Sequence, residues 1–516
     1  MKFASTLVTS VILVLSIAAA GYQVAFASGS TECTVAALQA TAPNGTTITG
    51  ARTIPPSGGL PEYCQVDGHV ATPGNTVNFR LGLPANWNGK YYFVGVGGLG
   101  GTIGSLNAGL VRGYASASTD TGHTAADHSW ETNHAAKIDY GHRGTHVTAV
   151  AAKALTASYF GEQPRHSYFN GCSNGGRQAQ MEVQRYPEDF DGIIAGDPSP
   201  GTPLQVGRVL VFQQMLLQPD YYLPQEKVEL LSKAAAAACD VADGLKDGLV
   251  SDPRLCTFTP ESLKCSGADG PNCLTQPQVE TVKKIYAPVK LPDGQIYAYG
   301  LPVGHEGSPT GWQAWTIGRV PPAKQADGTL AFGDVMPNSF LFSEANVRFL
   351  GLEKSDPAFN WKTFKFPQDL ARIQGMAKEL SPSDPNLTPF KNRGGKIIYY
   401  HGWADPAISA YGTIDYYEKM TKAVGGPQQA DSFARLYLAP GMHHCSGGPG
   451  PNSFDMLPVL EAWVERSVAP TQVIASHMAD GKVSRTRPLC PYPQVAQYTG
   501  SGSIDDAANF RCVVPK

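Results

Sequence analysis

Ser173, Asp405 and His444 lie far apart in the chain and are the residue types that nucleophilic catalysis needs. A serine hydroxyl attacks only when a base takes its proton, and a histidine serves as that base when an acid fixes its tautomer. Ser173 sits in Gly171-Cys-Ser-Asn-Gly175, which fits G-x-S-x-G, the turn that exposes a serine between a strand and a helix. Tyr168 and Phe169 read as the end of that strand, and a helix is expected from Arg177 to Arg185. A Gly-rich turn with a bystander serine is the alternative, and the flanking elements weigh against it. Asp405 and His444 each follow a strand-like run, Lys396–Gly402 and Ala434–Ala439, which places them in loops at one sheet edge. The order Ser, Asp, His is that of α/β-hydrolases. Asp197 competes as the acid but comes too soon after the elbow helix, and His443 competes with His444 as a structural loop histidine.

Other groups invite chemistry. Lys90–Val94 reads as a buried strand running into Gly95-Val-Gly-Gly-Leu-Gly-Gly101, where a hydrolase keeps its second oxyanion donor. A dinucleotide loop is discounted because no G-x-G-x-x-G opens a βαβ unit there. His123, His128, His134, His142 and His146 crowd one segment, but only His142 and His146 have a one-face helical spacing, so they read as loop and cap histidines rather than metal ligands. Asp240, Asp243 and Asp247 alternate with glycines, a density of hard oxygens that suits calcium or, more plainly, a solvated acidic turn. The spacing is not that of an EF-hand.

The elements that must position these residues suggest an α/β fold with a large insertion. Val77–Leu83 alternates as a half-buried strand, and Val147–Phe160, Gln225–Ala238 and Phe454–Arg466 read as helices. Between 201 and 389 strand-like runs thin out, which divides the chain into a first core part at 28–200, a lid domain, and a second core part at 390–516. Residues 1–27 read as a signal peptide, with Lys2, an apolar run from Leu7 to Ala20 and an A-x-A site at Ala25-Phe-Ala27. No later run is long enough to span a bilayer, so a secreted or periplasmic protein is expected. A net charge of −3 over 516 residues argues against nucleic acid or an anionic membrane as partner. The ten cysteines read as five disulfides. Spacing suggests Cys33–Cys64, Cys239–Cys256, Cys265–Cys273 and Cys490–Cys512, which leaves Cys172 and Cys445 beside the two residues wanted for catalysis. A bond between them favours His444 over His443.

Cys172-Ser173, Asp405 and His444-Cys445, with His444-Cys-Ser-Gly-Gly-Pro-Gly450 and Arg487-Pro-Leu-Cys-Pro-Tyr-Pro493, resemble the tannase and feruloyl esterase family over the whole mature chain. The resemblance implies an α/β-hydrolase fold and a serine carboxylesterase with a lid over an aromatic acyl pocket. It further implies oxyanion donors at the backbone of Asn174 and of Gly97 or Gly98, and a structural lid calcium that also uses the carbonyls of Leu245 and Leu249. No organic cofactor is implied. Trp312, Trp315 and Phe340 are candidates to line the pocket, and Arg319 and Arg348 to grip a carboxylate. The expected substrate is a small aromatic ester, free or attached to plant polysaccharide. Feruloyl and related hydroxycinnamoyl esters come first, galloyl esters next, then terephthalate monoesters, for which no matching arginine motif stands out. Two readings of other classes stay open: a calcium-stabilised binding protein on an inactive hydrolase fold, and a metal hydrolase built on the histidine cluster.

Overall fold

The computed structural model describes residues 31–515 apart from 355 and 357, so the expected leader lies outside the described residues. Nine strands form one mixed sheet: β1 (Thr46–Ile54), β2 (Tyr63–Thr72), β3 (Asn75–Pro84), β4 (Lys90–Val94), β5 (Ala115–Thr119), β6 (His166–Cys172), β7 (Gly192–Gly196), β8 (Lys396–Gly402) and β9 (Ala434–Ala439). Their order is β1-β2-β3-β5-β4-β6-β7-β8-β9. The first three pair antiparallel, and from β5 onward every pairing is parallel.

The parallel strands read as continuous apolar runs because both faces of the sheet are covered. Side chains alternate across the pleat. Phe169, Ile193, Ile397 and Tyr399 join one core, and Tyr168, Ile194, Ile398 and Tyr400 join another. Helices α1 (Gly144–Phe160), α2 (Asn174–Arg185) and α3 (Ala410–Ala423) bury Leu155, Val183 and Tyr417 in the first. Helix α4 (Leu457–Arg466) buries Leu460 and Trp463 in the second. This is the α/β-hydrolase fold.

The chain between β7 and β8 packs around a separate core that includes Phe212, Leu231, Val282, Trp312 and Trp361. Leu387 and Phe390 already belong to the main core, so the chain rejoins the sheet body ahead of residue 390. Two straps tie this lid to the body. Lys137 Nζ donates to the carbonyls of Phe349 (2.8 Å) and Leu352 (2.9 Å), and Arg208, on the lid helix Thr202–Leu217, donates to the carbonyl of Ala407. All five cysteine pairs form as the spacing suggested. Among the described residues no helix is long and apolar enough to cross a membrane.

Candidate active site

Ser173 occupies the single residue between β6 and α2, at φ +65° and ψ −120°, a backbone state that a non-glycine residue adopts only at a cost. Close approach explains the surrounding glycines. A Cβ on Gly171 would meet the carbonyl of Gly175 at 2.6 Å, and one on Gly176 would meet the carbonyl oxygen of Gly196 at 2.2 Å. Helix α2 starts at Asn174, not at the expected Arg177, because that same packing overrides the poor helix propensity of the two glycines. The turn is pinned by Ser173 N–H donating to Gly196 O at 2.9 Å.

Asp405 and His444 come to the same edge from the loops after β8 and β9. His444 Nδ1 donates to Asp405 Oδ2 at 2.8 Å, which leaves Nε2 as the basic nitrogen. Asp405 Oδ1 accepts the N–H groups of Ala407 (2.7 Å) and Ile408 (2.9 Å). Burial alone would raise the Asp405 carboxyl, but the charge of His444 and hydrogen bonds from His401 and His444 outweigh it and hold the group well below the usual range. Cys172 and Cys445 are bonded with their Cα atoms 5.9 Å apart, so the residues next to Ser173 and His444 are joined covalently.

The rivals have other duties. His443 is fully buried and faces the lid, with Nδ1 2.8 Å from Thr310 Oγ1 and Nε2 donating to His305 O at 3.2 Å. Asp197, directly after β7, accepts the N–H groups of Gly402 (2.8 Å) and Cys445 (2.6 Å). The five histidines each have their own setting. His123 stacks on Trp130 at 3.8 Å, His142 bonds Tyr186 and Glu379 at 2.7 Å each, and His146 bonds Asp189 at 2.6 Å. His128 approaches Glu131 at 3.3 Å, and His134 is exposed.

Ser173 and His444 line one narrow cavity with about 370 Å³ of atom-free space, its open mouth included. Gly98 and Asn174 are in its wall, whereas Gly97 is not. Asn174 fixes the glycine loop by donating from Nδ2 to Val96 O at 2.9 Å, and Gln178 Oε1 accepts Val96 N–H at 2.9 Å. The opposite wall comes from the lid: Leu204, Arg208, Trp315 and Phe342. Trp315 stands edge-on to the His444 ring at 4.7 Å.

Here the structure corrects the aromatic and arginine candidates. Trp312 is buried against Tyr286, and Phe340 packs half-buried against Phe212 and Trp361, both in the lid core. Phe342, two residues further along the helix Asn338–Ala345, turns to the cavity instead, as positions two apart on a helix must point to different sides. Arg319 and Arg348 are exposed, and Arg348 approaches Glu344 at 3.4 Å. The cavity's own cation is Arg208, whose hydrogen bonds among the described residues go to neutral acceptors, Gln205 Oε1 at 3.1 Å and Ala407 O. Burial pushes its guanidinium down to about 9, opposed by the charge of Asp405. A charged residue one turn beyond Leu204 on an apolar helix was the signal available for it in the sequence.

In the acidic lid loop, Asp240 Oδ1 accepts the N–H groups of Asp247 (3.0 Å) and Gly248 (2.9 Å). Asp243 Oδ1 accepts Leu245 N–H at 2.9 Å, and Arg487 pairs with Asp247 Oδ2 at 2.5 Å. Burial and the charge of Asp247 raise the Asp243 carboxyl, while hydrogen bonds from Ser251 and the Leu245 N–H and the charge of Arg487 pull it down. The loop's side-chain ligands are all oxygens, the type a hard dication takes, but among the described residues Asp240, Asp243 and Asp247 do not bring one oxygen each within 4.8 Å of the others.

A parallel-stranded edge carrying a strained serine, a carboxylate-bound histidine and a lidded cavity defines an esterase-type α/β-hydrolase. The family profile described as "Tannase and feruloyl esterase" matches residues 64–513, and the chain belongs to that family as a carboxylesterase. An uncharacterised esterase of Xanthomonas campestris is 36% identical, with 97% of this chain and 94% of that protein aligned. The mono(2-hydroxyethyl) terephthalate hydrolase of Piscinibacter sakaiensis is 34% identical over 88% of this chain and 85% of its own. The crystal structure of feruloyl esterase B from Aspergillus oryzae superposes with a TM-score of 0.82 at 24% identity, covering 91% of this chain and 97% of that one, and shares the fold.

Proposed function

We propose that the chain hydrolyses esters of aromatic acids through an acyl-enzyme on Ser173, with hydroxycinnamoyl esters of the feruloyl type as its first substrate class. The observation that carries this reading is the His444–Asp405 hydrogen bond in a cavity that Ser173 shares with Trp315 and Phe342. Ser173 Oγ attacks the ester carbonyl carbon while His444 Nε2 takes its proton. The carbonyl electrons move onto oxygen, which the N–H groups of Asn174 and Gly98, both residues of the cavity wall, would stabilise, with Gly97 the weaker candidate. Collapse expels the alcohol, protonated by His444, and leaves the acyl-serine. A water then gives its proton to His444 and attacks the acyl carbon; the second collapse frees the acid and returns the proton to Ser173. Asp405 keeps the histidine tautomer and stabilises the imidazolium.

One observation favours a second reading. A half-buried guanidinium whose hydrogen bonds among the described residues reach only neutral acceptors, that of Arg208, suits an acyl group that ends in a carboxylate, as in a terephthalate monoester. Galloyl esters are the third class to test. Calcium, held by Asp240, Asp243, Asp247 and the carbonyls of Leu245 and Leu249, would brace the lid loop and take no part in the ester chemistry. The disulfide content fits an oxidising compartment outside the cytoplasm.

The test is turnover of methyl ferulate, methyl gallate and mono(2-hydroxyethyl) terephthalate by wild type and Ser173→Ala. Turnover of any one, lost in the variant, supports the reading and names the acyl class. No turnover of all three by disulfide-bonded protein with calcium present overturns it. A fluorophosphonate that fails to label Ser173 would then point to the binding-protein alternative.

A further inference from the structure

The ester mechanism leaves one fully buried carboxylate beside the reacting groups unused. Asp197 has 0% exposure and lies directly after β7, between the nucleophile strand β6 and the acid strand β8. We propose that Asp197 is a positioning residue whose single carboxylate clamps the histidine loop to the acid strand by accepting the N–H groups of Cys445 and Gly402. The inference rests on the esterase reading above and adds to it a residue outside the Ser-Asp-His set.

The geometry supports this from every side. Cys445 directly follows His444, and Gly402 ends β8 just ahead of Asp405, so the two amides are the backbone handles of base and acid. The nucleophile side is close as well: Cys172 Sγ lies 3.3 Å from Asp197 Oδ2, and the carbonyl of the preceding Gly196 holds Ser173 N–H. One donor atom each of Asp197, Asp405 and His444 falls within 4.8 Å of the others. Asp197 itself sits at φ +36°, and its own N–H donates to Tyr400 O at 2.9 Å. A non-glycine residue held there, with an ionisable group in a fully buried setting, is a cost that the fold retains at this one edge.

The charged and titratable groups facing Asp197 are His401 on β8, 3.6 Å away, Asp405, His444 and the Tyr400 phenol. His401 Nε2 donates to Ile408 O at 2.9 Å and also lies 3.3 Å from Asp405 Oδ2, so the two carboxylates flank one buried imidazole. Burial pushes the Asp197 carboxyl up to about 6; His401 and His444 pull it down and Asp405 pushes it further up. Protonation would convert one acceptor oxygen into a donor facing an N–H group, and the clamp would open.

The experiment uses disulfide-bonded protein carrying Asp197→Asn or Asp197→Ala, with the ester that wild type turns over best. A misplacement of the base by about 1 Å predicts a fall in kcat of roughly 100-fold. KM should stay within about threefold, because Asp197 is not in the cavity wall, and the rate of fluorophosphonate labelling at Ser173 should fall in parallel. Folded variants that keep kcat within about threefold of wild type, with only the melting temperature lowered, overturn the proposal and leave a structural role. If neither variant folds, the wild-type pH profile decides. Measured at saturating substrate, kcat should fall as pH drops through about 6 with KM within about threefold, and a kcat that holds from about pH 7 to about pH 5 overturns the clamp. Wild type without turnover or labelling would overturn the esterase reading and this inference with it, whereas an active wild type with unaffected variants overturns this inference alone.

Discussion

Removing the Cys172–Cys445 bond should damage both stability and catalysis, and the two effects can be separated. The bond spans 273 residues, the longest separation of the five pairs. The chain-entropy estimate for a loop of that length is about 5–6 kcal/mol at 25 °C, near the top of the observed range. Cys33–Cys64 spans 31 residues on the far antiparallel side of the sheet, and the same estimate gives about 4 kcal/mol. The double variants Cys172→Ala/Cys445→Ala and Cys33→Ala/Cys64→Ala should therefore both unfold at lower urea, the first by roughly 2 kcal/mol more than the second. Turnover distinguishes them. Without the Cys172–Cys445 bond the loops bearing Ser173 and His444 lose their covalent tie and keep only hydrogen bonds, and kcat measured well below the unfolding transition should fall by about 10- to 100-fold. The Cys33–Cys64 variant should keep kcat within about twofold, because it touches none of these loops. A Cys172→Ala/Cys445→Ala protein that is less stable yet turns over like wild type would refute the argument that the bond preorganises the site.

Three further outcomes follow from the same structure. His123 is buried on Trp130 with Nδ1 unpaired among the described residues, and burial pushes it down to about 4. Its folded value lies below the unfolded one, so stability is full above about pH 6.5 and is lost as pH falls towards 4, by up to about 3 kcal/mol. His123→Phe should flatten that part of the urea-stability profile, and an unchanged profile would count against the buried neutral ring. Chelation should lower the melting temperature by several degrees, restored by added calcium, with kcat at 25 °C unchanged. No shift would remove calcium from the lid loop. Trp315→Ala should cut kcat/KM for aromatic acyl esters by roughly 3- to 10-fold more than for acetyl esters, and equal losses would take Trp315 out of acyl recognition.

How far the sequence reveals the site depends on how local each cause is. The runs Lys90–Val94, Lys396–Gly402 and Ala434–Ala439 are legible to the residue because strands covered on both faces must be apolar throughout. The Ser173 elbow is legible because its glycines are demanded by backbone contacts within a few residues and at the next strand end. The antiparallel strands β1 and β2 went unread: β1 buries only Thr46 and Ile48, and β2 buries Gln65, Gly68 and Thr72 beside its apolar residues, so neither shows a clean apolar alternation. The lid wall was half legible. Its aromatics are visible in the sequence, but which of Phe340 and Phe342 faces the cavity depends on how the helix is rotated against Phe212 and Trp361. Asp197 was seen and set aside as too early in the chain. What defines it is a pair of amides 205 and 248 residues away, and no local pattern carries that.

The lid leaves the sheet just after Asp197 and returns ahead of β8, so the Ser-Asp-His set and the lid half of the cavity wall occupy separate stretches of chain. Ser173, Asp405, His444 and the amides around them belong to the sheet body, while Leu204, Arg208, Trp315 and Phe342 belong to the insertion. Heritable change can therefore accumulate in one without disabling the other. A lineage carrying this fold could exchange one acyl preference for another through a few lid substitutions and remain a working hydrolase at every step. Arg208 is the exception, because its guanidinium also holds the carbonyl of Ala407, whose N–H is bound by Asp405. Drift at that position would be felt on both sides of the division at once.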